Sequence, residues 1–331
     1  MKIELAKSAG FCYGVKRAVD LATRAAESGL PCVMLGPVIH NDHVVSRLAQ
    51  QGVRCVDCVE EVPHGSGVVL RSHGEPRHVY ETLASRNATI IDTACPNVIK
   101  IHQLVEQAEA AGRQPVIIGV PTHPEVLAIA GWCRHPVVLE GAADLEAWLS
   151  EYPEYRQIPL TLVSQTTSTR ENWDLSIEKA KKLCTNLEIF DTICVTTDRR
   201  QSDASSLAAN SDLMIVLGGR NSSNTAKLYE ICCEHCENTY WIDRPDQIPF
   251  DVYEKVLSSE RIGITAGAST PEEMIREVIQ NMTEKEGLIN EEQPLEVLQE
   301  QPEEQLAQPE EQLAQPEERQ EQPEEELEQT T

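Results

Sequence analysis

Three times along the chain an apolar run ends in glycine and opens into a short polar loop. The instances are Leu35-Gly36-Pro37-Val38-Ile39-His40-Asn41, Ile118-Gly119-Val120-Pro121-Thr122-His123-Pro124-Glu125 and Leu217-Gly218-Gly219-Arg220-Asn221-Ser222-Ser223-Asn224. Each is followed, after a later apolar run, by a second polar loop: Arg71-Ser72-His73-Gly74, Ser164-Gln165-Thr166-Thr167 and Thr265-Ala266-Gly267-Ala268-Ser269. Strand-like and helix-like stretches alternate throughout. Strands are expected at 32–35, 68–71, 88–91, 116–119, 160–164, 213–217 and 262–265. Helices are expected at 15–28, 41–51, 76–85, 98–111, 142–149, 168–183, about 201–210, 223–233 and 271–280. Such alternation builds parallel sheets covered by helices. The fold class is therefore α/β, as three similar units with parallel sheets. Ligands of open α/β sheets bind beyond the carboxyl ends of the strands, where all six loops fall. Pseudo-threefold packing would bring those loops to one centre.

The expected boundaries are 1–95 for the first unit, with the N-terminal segment included, 96–193 for the second and 194–283 for the third. Residues 284–331 differ in kind. Seventeen acidic and two basic residues give this stretch −15 of the total charge of −26, so the remainder carries −11. Gln301-Pro302-Glu303-Glu304-Gln305-Leu306-Ala307 begins a seven-residue repeat, with a proline in each copy and few apolar positions. Proline and the missing apolar seam argue against a coiled coil, and the composition predicts a disordered tail.

An acidic body is a poor nucleic-acid partner, because phosphate contacts need clustered Lys and Arg. No apolar run reaches the roughly 18 residues of a membrane span. Met1-Lys2-Ile3-Glu4-Leu5 reads as neither a signal nor a transit peptide, so a reducing cytoplasm is expected. Eleven cysteines, an odd number, then point to metal ligation or catalysis for some of them rather than to disulfides.

Two cysteines sit in matching phrases. Ile91-Asp92-Thr93-Ala94-Cys95-Pro96 follows an apolar run and precedes a helical pattern, and so does Phe190-Asp191-Thr192-Ile193-Cys194. Pro96 suits a first helical position, so Cys95 stands at or beside a helix N-cap, where the dipole favours a thiolate. Cys12, in Gly10-Phe11-Cys12-Tyr13-Gly14-Val15, likewise precedes a helix. Three thiolates can hold zinc or an iron–sulfur cluster. His40, His73 and His123 occupy comparable loops and suggest one pocket. Partly protonated imidazoles beside Ser222, Ser223, Asn224 and Ser269 would suit a diphosphate, with helix N-termini adding donors. Glu125 can relay protons, and Thr166 can orient one. No P-loop or dinucleotide fingerprint is present. Cys55-x-x-Cys58 and Cys233-x-His235-Cys236 have zinc-like spacings, but each is a single knuckle. On these residues alone a zinc hydrolase or lyase with Glu125 as base remains a competing reading.

Taken together, Gly10 to Val15, Val38-Ile39-His40-Asn41, Arg71 to Gly74, Asp92 to Pro96, His123-Pro124-Glu125-Val126, Gln165-Thr166-Thr167, Arg200-Gln201, Asn221 to Asn224 and Ala266 to Ser269 resemble the 4-hydroxy-3-methylbut-2-enyl diphosphate reductase family. The resemblance spans about residues 3–281, in order, and leaves out the tail. It implies a trefoil of three α/β domains around a 4Fe–4S cluster, one per chain, with Cys12, Cys95 and Cys194 as ligands and one iron open to substrate. It implies reductive dehydroxylation to isopentenyl and dimethylallyl diphosphate, the last step of the methylerythritol phosphate route to isoprenoids. His40, His73, His123, Ser222, Ser223, Asn224 and Ser269 would hold the diphosphate. Glu125 would donate a proton, with Thr166 and His123 beside it. A ferredoxin- or flavodoxin-type protein would supply electrons. Asp-Thr-Ala-Cys stands where Asp-Ala-Thr-Cys is commoner in the family, and Ala128 and Thr196 also depart from its usual wording.

Overall fold

The computed structural model describes residues 2–284; the acidic repeat and the disorder expected of it lie outside these residues. The chain opens with β1 (Lys2–Leu5) and α1 (Tyr13–Glu27). Then come β2 (Cys32–Leu35), α2 (Asp42–Gln50), β3 (Arg54–Val56), β4 (Gly67–Val69), α3 (Arg77–Ser85) and β5 (Thr89–Ile91). The second stretch holds α4 (Pro96–Ala110), β6 (Gln114–Ile118), α5 (Pro124–Ala130), β7 (Val137–Leu139), α6 (Ala142–Glu151), β8 (Leu160–Ser164), α7 (Arg170–Leu183) and β9 (Leu187–Ile189). The third holds α8 (Val195–Ala208), β10 (Leu213–Leu217), α9 (Ser223–His235), β11 (Thr239–Ile242), α10 (Phe250–Ser258), β12 (Arg261–Ala266) and α11 (Glu272–Glu284).

These strands form three four-stranded parallel sheets with one topology. Their orders are β3-β2-β4-β5, β7-β6-β8-β9 and β11-β10-β12-β1. The inner strands are buried on both faces. Cys32–Leu35, Leu160–Ser164 and Leu213–Leu217 are buried throughout, which is why they read as unbroken apolar runs. Helices cover both faces, and Trp173 of α7 fills the core of the second unit with no exposed surface. Each fully buried Leu, Ile or Val contributes about 1.5–3 kcal/mol.

One expectation is corrected. The N-terminal strand does not join the first unit. β1 pairs in parallel with β12, from Lys2 opposite Arg261 to Leu5 opposite Ile264. The first sheet already has its four strands, whereas β12 without β1 would end the third sheet at an open edge. Ile3 and Leu5 turn toward the core of the third unit, and Lys2 and Glu4 face out. That alternation marks a strand covered on one face. The consequence is an exact analogy of position: β5, β9 and β1 are the same outer strand of the three sheets, and each leads into one of the three cysteine loops.

Candidate active site

The cysteine phrase folds the same way in the first and second units. Asp92 Oδ1 accepts the Ala94 N–H at 2.9 Å, and Asp191 Oδ1 accepts that of Ile193 at 3.3 Å. The next residue anchors the loop to the neighbouring inner strand. Thr93 Oγ1 donates to the Leu70 carbonyl at 2.6 Å, and Thr192 Oγ1 to that of Ser164 at 2.7 Å. Thr93 thus gives the uncommon Asp-Thr-Ala-Cys order a structural role. Each cysteine N–H then bonds the loop beyond that inner strand: Cys95 to Ser72 O at 2.9 Å, Cys194 to Thr166 O at 3.0 Å and Cys12 to Ala268 O at 3.3 Å. Threefold equivalence therefore extends to single hydrogen bonds.

All three cysteines are N-caps. Cys12 caps α1 and accepts the Val15 N–H on its sulfur at 3.5 Å. Cys95 caps α4, with Pro96 in the first turn, and Cys194 caps α8. Asn97 Nδ2 donates to Cys194 Sγ at 3.4 Å. Nothing in the sequence marked Asn97; only its place in the first turn of α4, beside a loop 97 residues further along the chain, brings it there. Burial outweighs the helix dipole in the protein without ligands: it raises the Cys12 thiol and pushes Cys95 up to about 11. The expectation of a dipole-favoured thiolate therefore does not describe the free site, and a bound cation is what would draw these protons off.

Gly14 keeps the space between two sulfurs clear. A Cβ there would stand 2.7 Å from Cys95 Sγ and 4.0 Å from Cys12 Sγ. Among the described residues, no three His, Cys, Asp or Glu side chains converge tightly enough to hold a single metal ion. That statement includes the zinc-like spacings. Cys55, Cys58 and Cys233 are exposed, Cys236 is buried, and His235 instead shares a 2.9 Å hydrogen bond with Ser205.

The remaining candidates line the same cavity as the cysteines: His40, His73, His123, Glu125, Thr166, Ser222, Ser223, Asn224 and Ser269 all face it. The structure thus brings together the three cysteines and the nine residues expected around the substrate, but not the residues of the two zinc-like spacings. Three helices, α2, α5 and α9, start at its wall, with Asn41, His123 and Ser222 as their N-caps. The imidazoles cluster, with ring centroids of His40 and His73 4.4 Å apart and His123 6.0 and 5.7 Å from them. Burial lowers all three pKa values, with help from their neighbours. His123 is pushed to about 4 by burial and His40, His73 goes well below its usual value, and Arg71 adds to the effect on His40 and His73. The free site thus holds neutral rings, not the partly protonated ones expected. Several donors and acceptors there have no protein partner: His40 Nε2, His73 Nδ1 and both amide atoms of Asn224 are buried and unpaired. Buried polar atoms are rarely left so, and their presence in one cavity suits a polar ligand.

Glu125 lies at the first turn of α5 and is 2% exposed. Its carboxyl accepts the Thr166 N–H at 2.6 Å and the Thr166 hydroxyl at 2.7 Å. Burial pushes it up to about 6 in spite of both bonds. Gln165 supports the loop by accepting the Val120 N–H at 3.1 Å and donating to Thr167 at 2.8 Å, and Thr167 meets Ser223 at 3.1 Å. These contacts join the second and third units across the cavity.

Comparison with known proteins identifies the family of the chain. The family described as LytB protein matches residues 3–283. The chain belongs to the LytB family. It is 38% identical over 291 residues to the 4-hydroxy-3-methylbut-2-enyl diphosphate reductase of Caldanaerobacter subterraneus subsp. tengcongensis, covering 87% of this chain and 98% of that protein. A Clostridium perfringens protein of the same name is 37% identical over 286 residues, covering 85% and 98%. The Clostridium acetobutylicum relative of that name is longer, and the match spans 44% of it at 38% identity. A solved structure of (E)-4-hydroxy-3-methyl-but-2-enyl diphosphate reductase, described as the terminal enzyme of the non-mevalonate pathway, covers 86% of this LytB chain and 100% of its own, with 34% identity and a TM-score of 0.63. The Plasmodium falciparum E-1-hydroxy-2-methyl-but-2-enyl-4-diphosphate reductase shares the fold, with a TM-score of 0.77 at 24% identity over 85% of this chain and 88% of its own. Among the described residues of this LytB protein, no helix is long and apolar enough to cross a membrane.

Proposed function

We propose that this chain removes the 4-hydroxyl of (E)-4-hydroxy-3-methylbut-2-enyl diphosphate as water, taking up two electrons and two protons and giving isopentenyl or dimethylallyl diphosphate. Cys12, Cys95 and Cys194 hold a 4Fe–4S cluster. Such a cluster, bound through three cysteines, supplies low-potential electrons and one iron open to an oxygen ligand. The donor set supports this reading: three thiols on three helix N-caps, and a glycine clearing the space between two of them.

The chain's own residues do the rest. His40, His73 and His123, the N-terminus of α9 with Ser222, Ser223 and Asn224, and Ser269 hold the diphosphate. Helix N-termini and hydroxyls bind phosphate without needing lysine or arginine. Burial raises the Glu125 carboxyl to about 6, so that it holds a proton at mildly acidic pH, and the Thr166 hydroxyl orients it. A ferredoxin- or flavodoxin-type protein brings the electrons, and a cytoplasmic location accords with eleven free thiols.

The observation that carries this reading is the convergence of residues from three sheets on one cavity, with unpaired buried histidine and asparagine atoms beside three N-cap cysteines. Anaerobic purification, iron and sulfide analysis and assay with the hydroxylated diphosphate test it. The expected protein is brown, carries four irons per chain on the order of a full 4Fe–4S complement, and loses both cluster and turnover in Cys194→Ser. A colourless, iron-free protein of undiminished activity overturns it.

A further inference from the structure

Arg200 lines the cavity and has no part in the reading above. It sits six residues beyond Cys194 on α8 and is 3% exposed. Its guanidinium donates to two backbone carbonyls, those of Ser8 and Ala266. Ser8 belongs to the loop that leads into Cys12. Ala266 ends β12, two residues before the carbonyl of Ala268 that receives the Cys12 N–H. Arg200 is therefore fastened to both segments that place Cys12, and it rides on the helix that Cys194 caps.

The charge on this side chain is what needs explaining. Carbonyl oxygens satisfy N–H groups but do not neutralise a cation, and a buried charge without a counter-ion is costly. Among the described residues no carboxylate lies within ion-pair distance of it. Three groups feel its field: Cys12, Cys194 and Asp203, which stands one turn further along α8. Asp203 has a buried Oδ2 with no hydrogen-bond partner, and the Arg200 Nε is likewise unpaired. Two of those three groups are cysteines of the proposed ligand set, and cysteine binds a metal as the thiolate. The fixed cation is thus placed for an anionic occupant of the cysteine site.

We propose that Arg200 is the resident counter-charge of that occupant: it raises the reduction potential of the cluster held by Cys12, Cys95 and Cys194. The proposal rests on the cluster reading given above. Each electron added to a cluster bound by three thiolates increases its negative charge. A fixed positive charge in a low-dielectric site favours the reduced form, since the potential follows net charge and surroundings. Arg200 is a positioning and electrostatic residue and touches no reacting atom.

Two variants separate charge from hydrogen bonding. Arg200→Gln keeps a donor for the carbonyls and removes the charge; Arg200→Lys keeps the charge and loses the planar fork. Redox titration of reconstituted protein, followed by electron paramagnetic resonance, reads the midpoint potential. In Arg200→Gln the ratio of reduced to oxidised cluster at a fixed potential is expected to fall about tenfold, a shift of about 59 mV for one electron. Arg200→Lys is expected to stay close to the parent. An Arg200→Gln protein with full iron and sulfide and an unchanged midpoint overturns the role of Arg200 alone. Parent protein that takes up no iron and sulfide overturns the cluster reading and this proposal with it. Metal-free protein supplies a readout independent of loading. Without the anionic partner the buried cation is a burden, so apo Arg200→Gln is expected to unfold at a higher temperature than the apo parent. A lower one together with an unchanged midpoint would assign Arg200 a purely structural role.

Discussion

Glu125 and Thr166 meet twice, through the backbone N–H at 2.6 Å and the hydroxyl at 2.7 Å, across 41 residues of sequence. Both bonds favour the ionised carboxyl, yet burial prevails and holds it at about 6. The pair is therefore poised to release a proton near neutrality while its direction stays fixed.

Glu125→Gln preserves an acceptor for Thr166 and removes the acid. Turnover with a chemical reductant is expected to fall by about 10²–10⁴, with iron content unchanged. A variant that retains parental turnover would remove Glu125 from the proton pathway.

The pH dependence has a definite sign. With the acid form required and its pKa at about 6, kcat/KM should fall tenfold per unit as pH rises above about 6. Thr166→Val deletes a donor that lowers this pKa, so the falling limb should move to higher pH. Profiles of parent and variant that coincide would disprove the coupling.

The same burial sets a stability cost. The folded pKa of Glu125 lies above the ordinary 4.5, so its contribution is fully present below pH 4.5 and is lost as pH rises through about 6. Glu125→Gln should then be more stable than the parent at pH 8, by at most about 2 kcal/mol. Denaturant titrations at pH 4 and pH 8 check this, with the advantage expected only at the higher pH.

Binding of diphosphate should take up protons. The three imidazoles are held neutral in the free protein by burial and one another, and an anion among them raises their pKa values. Affinity should thus strengthen as pH falls. Calorimetry of inorganic diphosphate in two buffers of different ionisation enthalpy should show net uptake near pH 6. Identical apparent enthalpies in the two buffers would count against it.

Gly14→Ala poses a conflict between local preference and site. Alanine favours the helix by about 1 kcal/mol over glycine, but its Cβ would lie 2.7 Å from Cys95 Sγ. Reconstituted protein should hold less than half the parental iron, while far-ultraviolet circular dichroism of the apo form stays unchanged.

The sequence disclosed the chemistry more fully than the architecture. Inner strands were readable because burial on both faces leaves an unbroken apolar run, as in Leu213–Leu217. The edge strands Arg54–Val56, Val137–Leu139 and Thr239–Ile242 are short and half-exposed, and their pattern is weak. Helix α5 is too short, at seven residues, to show a period. Helix α8 begins at Val195, six residues before the expected start, because its first turns are polar where they border the cavity. The loop residues were legible because their types are unusual beside one another. Asn97 and Arg200 act on partners far away in the chain, 97 residues for Cys194 and 192 for Ser8, and a single sequence carries no record of such neighbours.

The pairing of β1 with β12 also sets an order of events during synthesis. The loops of Cys95 and Cys194 can close as soon as their own sheets are complete. Cys12 leaves the ribosome first, yet the strand that positions its loop waits for residues 261–266, nearly the whole core later. Two corners of the site can therefore form on a nascent chain, and the third only after the last strand has emerged. A ligand that needs all three loops must therefore wait for that strand, and the first cysteine made is the last to reach its place.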